Sequence, residues 1–210
     1  MFRRDTFALI GTALIGVICT IYLVIGSTPF FPKSVYTQLG ECPANTPFPA
    51  ERGLVMDEFY ADWYSSELQA FHEDPLFPAK GQSSQTVRFA LLRSFHAPVM
   101  VRTVETNDGH IRLIGKWIAG QDGCETNHLS CSVDRVLTQA ERERLKAAQL
   151  QLHKASYSCD GGLDGSRWLL EVSGRGEYKI WSEWSPRNGD LRALALVMLD
   201  LTGWQLAEVY

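Results

Sequence analysis

The sequence lacks any surplus of positive charge. Its 210 residues carry 20 lysines and arginines against 24 aspartates and glutamates, for a net charge of -4. Arg3 and Arg4 sit at the extreme N-terminus, so the remainder is more acidic still. A body of that sign has no basic surface with which to grip nucleic acid. Internal repeats and low-complexity tracts are absent. At 45% hydrophobic, 21% charged and 11% aromatic residues, disorder, collagen and coiled coil are excluded as descriptions of the whole chain. The HExxH motif, the nucleophile elbow and the N-x-S/T sequon are missing as well. The glycine-rich stretch Gly161-Gly162-Leu163-Asp164-Gly165 is acidic and would repel phosphate. No cofactor is implied. The length corresponds to about one domain, at roughly 100–200 residues each.

One long hydrophobic run is present. Phe7 to Gly26 contains no charged residue, and as a helix it would cross a hydrocarbon core of about 30 Å. Arg3 and Arg4 precede it, and Lys33 is the nearest base after it. This asymmetry predicts a cytoplasmic N-terminus with the rest of the chain across the membrane. A cleaved signal peptide ending at Val24-Ile25-Gly26 is the alternative, but the run exceeds the ~7–15 residues of a signal-peptide core. Ala8, Thr12, Gly16 and Thr20 recur every fourth residue. They form a stripe of small side chains that would let a partner helix approach.

Cysteine usage agrees with export. After Cys19, four cysteines remain: Cys42, Cys124, Cys131 and Cys159. An even number in an exported segment predicts two disulfides, with Cys124–Cys131 and Cys42–Cys159 the favoured pairing. A zinc site from Cys124, His128, Cys131 and Cys159 is the competing arrangement, but its spacing matches no zinc motif, so no metal is expected.

Three regions follow: residues 1–26 as cytoplasmic tip and signal-anchor, 27–55 as a stalk, and 56–210 as an exported domain. The stalk holds Pro29, Pro32, Pro43, Pro47 and Pro49, which resist helix interiors. Asp57–Phe71 reads as an aromatic amphipathic helix capped by Asp57. Tyr60, Trp63, Tyr64, Leu68 and Phe71 lie on one face, and Glu67 interrupts it. Strands are predicted over 87–92, 99–105 and 111–119, the last two joined at Thr106-Asn107-Asp108-Gly109. A polar loop over 120–134 comes next. The capping box Thr138-Gln139-Ala140-Glu141 opens a helix to about His153 that buries Leu145, Ala148 and Leu152. A second hairpin, 168–173 with 178–185, turns at Gly174-Arg175-Gly176. A final helix over 191–201 buries Leu191, Leu194, Ala195 and Met198. The fold class expected is α+β, an antiparallel sheet with helices on one side.

Two sets of motifs stand out. Trp181-Ser182-Glu183-Trp184-Ser185 resembles the WSXWS box of class I cytokine receptors. Too few residues separate Cys159 from Trp181 for the fibronectin-type domain that carries that box, and the apolar run lies at the wrong end of the chain. The second set covers most of residues 57–200. It comprises Arg88-Phe89 with Leu92-Arg93-Ser94-Phe95-His96-Ala97-Pro98-Val99, then Asp164-Gly165, Trp168 and Glu171, then Tyr178 and Trp184-Ser185-Pro186. This combination, with Trp63-Tyr64-Ser65 upstream, resembles a family of bacterial membrane-anchored envelope proteins with no assigned activity. Lys179 stands where that family carries a histidine. The resemblance implies a shared fold unit and a bacterial envelope setting, with the anchor in the inner membrane and the domain in the periplasm.

Within these motifs, His96 with Glu171 or Asp164 would supply a general base for an envelope hydrolase. Arg93, His96 and Trp184 are the binding candidates. The leading expectation is a binding or accessory domain acting on a protein or small ligand, with the hydrolase as the alternative.

Overall fold

The structure is a computed structural model that describes residues 29–42, 55–79, 84–118, 132–152, 159, 162, 164–206 and 209. Among these residues no helix is long and apolar enough to cross a membrane. The Phe7–Gly26 run and the Ala8/Thr12/Gly16/Thr20 stripe lie outside them. So do Cys124 and Cys131.

Six strands form one antiparallel sheet: β1 (Thr86–Arg93), β2 (Val99–Glu105), β3 (Ile111–Trp117), β4 (Ser132–Val136), β5 (Ser166–Gly174) and β6 (Glu177–Trp184). Their spatial order is β4-β3-β2-β1-β5-β6. The helices are α1 (Lys33–Tyr36), continued by a 3-10 turn at Thr37–Leu39, then α2 (Glu58–Ala70), α3 (Gln139–Gln151) and α4 (Asp190–Asp200). The expected α+β class and single antiparallel sheet are what is found.

The helices, however, cover both faces of the sheet, where one face was expected. β1 is central and buried along its whole length. Because side chains alternate across a strand, it feeds two cores. Val87, Phe89 and Leu91 join Val101, Leu113, Trp168 and Leu170 beneath Leu145 of α3 and Leu191, Leu194, Ala195 and Met198 of α4. Ala90 and Leu92 join Leu169 and Ile180 beneath Ala61, Tyr64 and Leu68 of α2. Each fully buried large apolar side chain contributes about 1.5–3 kcal/mol relative to exposure. The sequence pattern concealed this because a strand buried on both faces shows no alternation.

The caps form as expected. Asp57 accepts a hydrogen bond from the Tyr60 amide at 3.0 Å, and Thr138 and Glu141 make a reciprocal capping box. Glu67, the flaw in the α2 stripe, accepts a bond from Trp63 Nε1 at 3.2 Å, one turn away. Two local expectations need correction. Part of the loop over 120–134 is strand β4, whose side chains are nowhere fully buried. It is held as an edge strand by its ladder with β3 and by a two-bond Arg112–Asp134 pair at 2.6 and 2.7 Å. Charged residues on an edge strand erase the apolar alternation by which strands are recognised. Residues 29–42, expected as extended stalk, form helical turns and bury Phe30, Phe31, Val35 and Leu39 against the α2 face. Cys42 is paired with Cys159, Cα–Cα 5.6 Å, which fastens this segment to the chain entering β5.

Candidate functional site

The motif segments converge at one end of the sheet. β1 pairs with β5 so that Arg93 faces Ser166, and β5 pairs with β6 so that Arg167 faces Trp184. This register brings the β1–β2 turn, the Asp164-Gly165 entry to β5 and the Ser185-Pro186 exit from β6 side by side. Backbone bonds stitch them together: Ser94 N–H donates to Gly165 O at 3.0 Å and Ser185 N–H to Ser166 O at 2.8 Å. The Ser166 amide donates to Ser185 Oγ at 3.0 Å. Arg93 Nη2 reaches across its own turn to Ala97 O at 2.6 Å.

An open cleft of about 590 Å³ lies at this junction, lined by Phe95, Asp164, Gly165, Ser185, Pro186, Arg187 and Arg192. Phe95 is 65% exposed. Arg192 is held in place: its guanidinium lies 4.9 Å over the Trp168 ring and donates to Pro186 O and Val209 O. Arg187 and Asp164 are exposed on the rim. Gly165 is required here, because a Cβ on it would meet Ser185 Oγ at 2.5 Å and Trp184 Cζ2 at 2.7 Å. Ser185 has a φ of +41°, and its hydroxyl serves the backbone of β5 as an acceptor. The cleft thus offers an aromatic face, a carboxylate and two guanidinium groups, a set suited to stacking and hydrogen-bonded recognition.

The sequence candidates separate in space. Arg93, His96 and Asp164 fall at this end of the sheet, with His96 half-buried in the turn after Phe95. Glu171 does not join them. It faces Arg88 in the register, five positions along β1 from Arg93, about 17 Å away at the strand rise. It also points to the α2 face, whereas Arg93 alternates to the other. Both Glu171 and Arg88 are 1% exposed; Glu171 Oε2 accepts from Arg88 Nε at 2.7 Å, with Arg88 Nη2 in ion-pair contact at the same distance, and Oε1 accepts from the Tyr178 hydroxyl at 2.9 Å. Burial first, and then Glu171, push the Tyr178 hydroxyl well above its ordinary pKa, which keeps it a neutral donor. Trp184 turns inward: it carries the Arg167 guanidinium at 5.3 Å, with Tyr60 at the same distance from that guanidinium.

Sequence reasoning missed Glu73. This carboxylate, from the loop after α2, is buried among cations of three strands. Lys116 Nζ lies 2.7 Å from it, Arg102 Nε 3.4 Å and Arg88 Nη1 3.6 Å. Lys116 and Arg88 also donate to Phe71 O and Asp74 O. An isolated glutamate in a polar loop carries no periodic signal, so only the position of α2 on the sheet reveals it. No group of three or more His, Cys, Asp or Glu among the described residues could hold a metal ion.

No model of a known protein family matches the chain, and no curated protein is similar to it in sequence.

Proposed function

We propose that this chain is a single-pass envelope protein, anchored by Phe7–Gly26 with its N-terminus in the cytoplasm, whose α+β domain binds a protein or small-ligand partner outside. The bacterial inner membrane and periplasm are its setting. Export is supported by Arg3 and Arg4 ahead of the apolar run and by the Cys42–Cys159 pair, since disulfides persist in oxidising compartments. The observation that carries the binding role is the exposed Phe95 at the cleft where the three motif segments meet. An aromatic ring left in water beside the fixed Arg192 guanidinium has the character of an interface anchor.

The test is co-purification of the full chain after mild solubilisation, wild-type beside Phe95→Asp. A stoichiometric partner retained by the wild type and lost by the variant is expected. A wild-type chain recovered as a lone monomer overturns the reading. A membrane-impermeant thiol reagent applied to intact cells, before and after reduction, checks the orientation. Reduction should make Cys42 and Cys159 reactive from outside.

A further inference from the structure

Helix α2 carries acids and no base. With its cap it holds Asp57, Glu58, Asp62 and Glu67, and neither lysine nor arginine. One side is buried through Ala61, Tyr64 and Leu68. At about 3.6 residues per turn, Phe59, Trp63, Ser66 and Ala70 fall on the opposite side, with Glu58 and Asp62 along one flank. Phe59 is 71% exposed, and Glu58, Asp62, Ser66 and Ala70 are exposed around the half-buried Trp63. The rings are joined: Phe59 meets Tyr60 edge-on at 5.6 Å, and Tyr60 meets Trp63 at 6.3 Å. From Phe59 to Ala70 this face runs about 16 Å along the helix axis. Asp57 is engaged as the cap and Glu67 by Trp63 Nε1. Glu58 and Asp62 form no ion pair among the described residues.

Exposed rings beside exposed carboxylates are complementary to one chemistry, a cation on an apolar stem. The ring faces attract it and the carboxylates neutralise it. The fold already uses the first half of this arrangement, since Arg167 lies 5.3 Å over Tyr60, and Arg88 and Arg192 stack on Phe30 and Trp168. We propose that the outer face of α2 docks a basic segment of a partner protein, with arginine or lysine side chains lying across Phe59 and Trp63 and ending on Glu58 and Asp62. The proposal does not rest on the Phe95 cleft. Other occupants fit less well. An anionic lipid surface would be repelled by the same carboxylates. A wholly apolar partner would strand Glu58 and Asp62 away from water without a counter-charge. Two copies set face to face would bring acid against acid. A small cation would cover only part of a face this long.

The experiment titrates the purified full chain, held in phosphatidylcholine nanodiscs, into three fluorescein-labelled alanine-based helical peptides and reads anisotropy. One carries arginines spaced four residues apart, the second citrulline at the same positions, the third glutamate. The arginine peptide should bind, and the neutral citrulline and the glutamate peptides should not. Phe59→Ser keeps every charge and should weaken arginine-peptide binding about tenfold, the equivalent of 1.4 kcal/mol. Glu58→Lys with Asp62→Lys should abolish it and admit the glutamate peptide instead. Each variant is checked for wild-type melting, and Glu58→Gln with Asp62→Asn replaces the reversal if that chain does not fold. Phe95→Asp should leave arginine-peptide binding unchanged, so this proposal and the cleft reading fail separately. Equal binding of the citrulline peptide, or arginine-peptide binding indifferent to the α2 variants, overturns the proposal. So does Phe59-dependent flotation with phosphatidylglycerol vesicles, which would assign the face to lipid. Self-association of the chain that Phe59→Ser abolishes would assign it to a second copy and overturn the proposal equally.

Discussion

Arg88 of β1 and Glu171 of β5 stand directly opposite each other inside the protein, with Glu171 Oε2 accepting a hydrogen bond from Arg88 Nε at 2.7 Å and Arg88 Nη2 in ion-pair contact with the same oxygen at 2.7 Å. Taking the two charges out of water costs several kcal/mol per ion, and the pairing offsets this only while both remain. Removing one partner strands the other. Arg88→Met or Glu171→Leu alone should lower the unfolding free energy by about 3–5 kcal/mol. The double variant Arg88→Met/Glu171→Leu should recover a large part of that. Urea denaturation of the four chains measures the coupling, and additive losses would contradict a paired role.

Glu73 is the second buried carboxylate of this face. It neutralises Arg102 and Lys116, and it holds the end of α2 on the sheet through the loop that also supplies the Phe71 and Asp74 carbonyls. Arg88 and Arg102 are register partners on β1 and β2, so losing Glu73 sets like charges against each other. Glu73→Gln should speed amide exchange across residues 71–79 and leave β3–β4 protection unchanged. Uniform loss of protection would instead mark a global effect.

The elements with a single apolar face were legible in the sequence. Asp57 and the Thr138–Glu141 box announced their helices, and Leu191, Leu194, Ala195 and Met198 spelled out the stripe that α4 buries. What escaped were features defined by two partners far apart in the chain. β4 shows no pattern of its own and becomes a strand because β3 offers it an edge. Phe30 and Phe31 sit among prolines and are drawn inward because α2 leaves room beside Tyr64, whose ring Phe31 meets edge-on. The cleft was legible in part: Phe95, Asp164 and Ser185 fall inside recognisable motifs, while their convergence depends on the β1–β5–β6 register. The association of His96 with Glu171 failed because alternation and register, not proximity of motifs, decide which side chains meet.

Cys42 and Cys159 close a loop with a sequence separation of 117. A cross-link over a loop of that length restricts the unfolded chain by about 4–5 kcal/mol in the chain-entropy account. Reduction, or Cys42→Ser with Cys159→Ser, should lower the denaturation midpoint by a corresponding amount. Residues 29–42 should become the first segment open to protease. A midpoint indifferent to reductant would show that the pair does not form in the isolated protein.

Acid should loosen α3. Glu141 accepts from Arg135 at 2.7 and 2.9 Å and from the Thr138 amide, and the Arg135 bonds foremost draw its pKa down to about 2 from 4.5. A folded-state pKa below the unfolded value stabilises above the unfolded pKa and is lost as pH falls through the folded one. The stabilisation is therefore full above about pH 5 and fades toward pH 2. Solvent screening limits it to about 1 kcal/mol. Glu141→Gln should show a flatter stability profile between these limits than the wild type. Identical profiles would remove Glu141 from the acid response.

Phe95 and Gly165 line the same cleft but answer to different physics, which separates binding from folding. Phe95 is mostly in water, so Phe95→Asp removes little buried area and should change stability by less than about 0.5 kcal/mol. If the ring anchors a partner, the same change costs 2 kcal/mol or more of affinity, the range of interface hot spots. Gly165→Ala places a methyl carbon against Ser185 Oγ and the Trp184 ring at 2.5 and 2.7 Å. Trp184 cannot give way freely, because its face holds Arg167, and Ser185 is fixed by two bonds to Ser166. Overpacking of this kind costs about 1–3 kcal/mol, and the strain falls on the β5–β6 end of the sheet. Thermal melting and partner capture, run on both variants, should therefore dissociate. Phe95→Asp keeps its melting temperature and loses the partner, whereas Gly165→Ala melts early. A Phe95→Asp chain that still captures its partner at wild-type affinity would move the binding surface elsewhere on the domain.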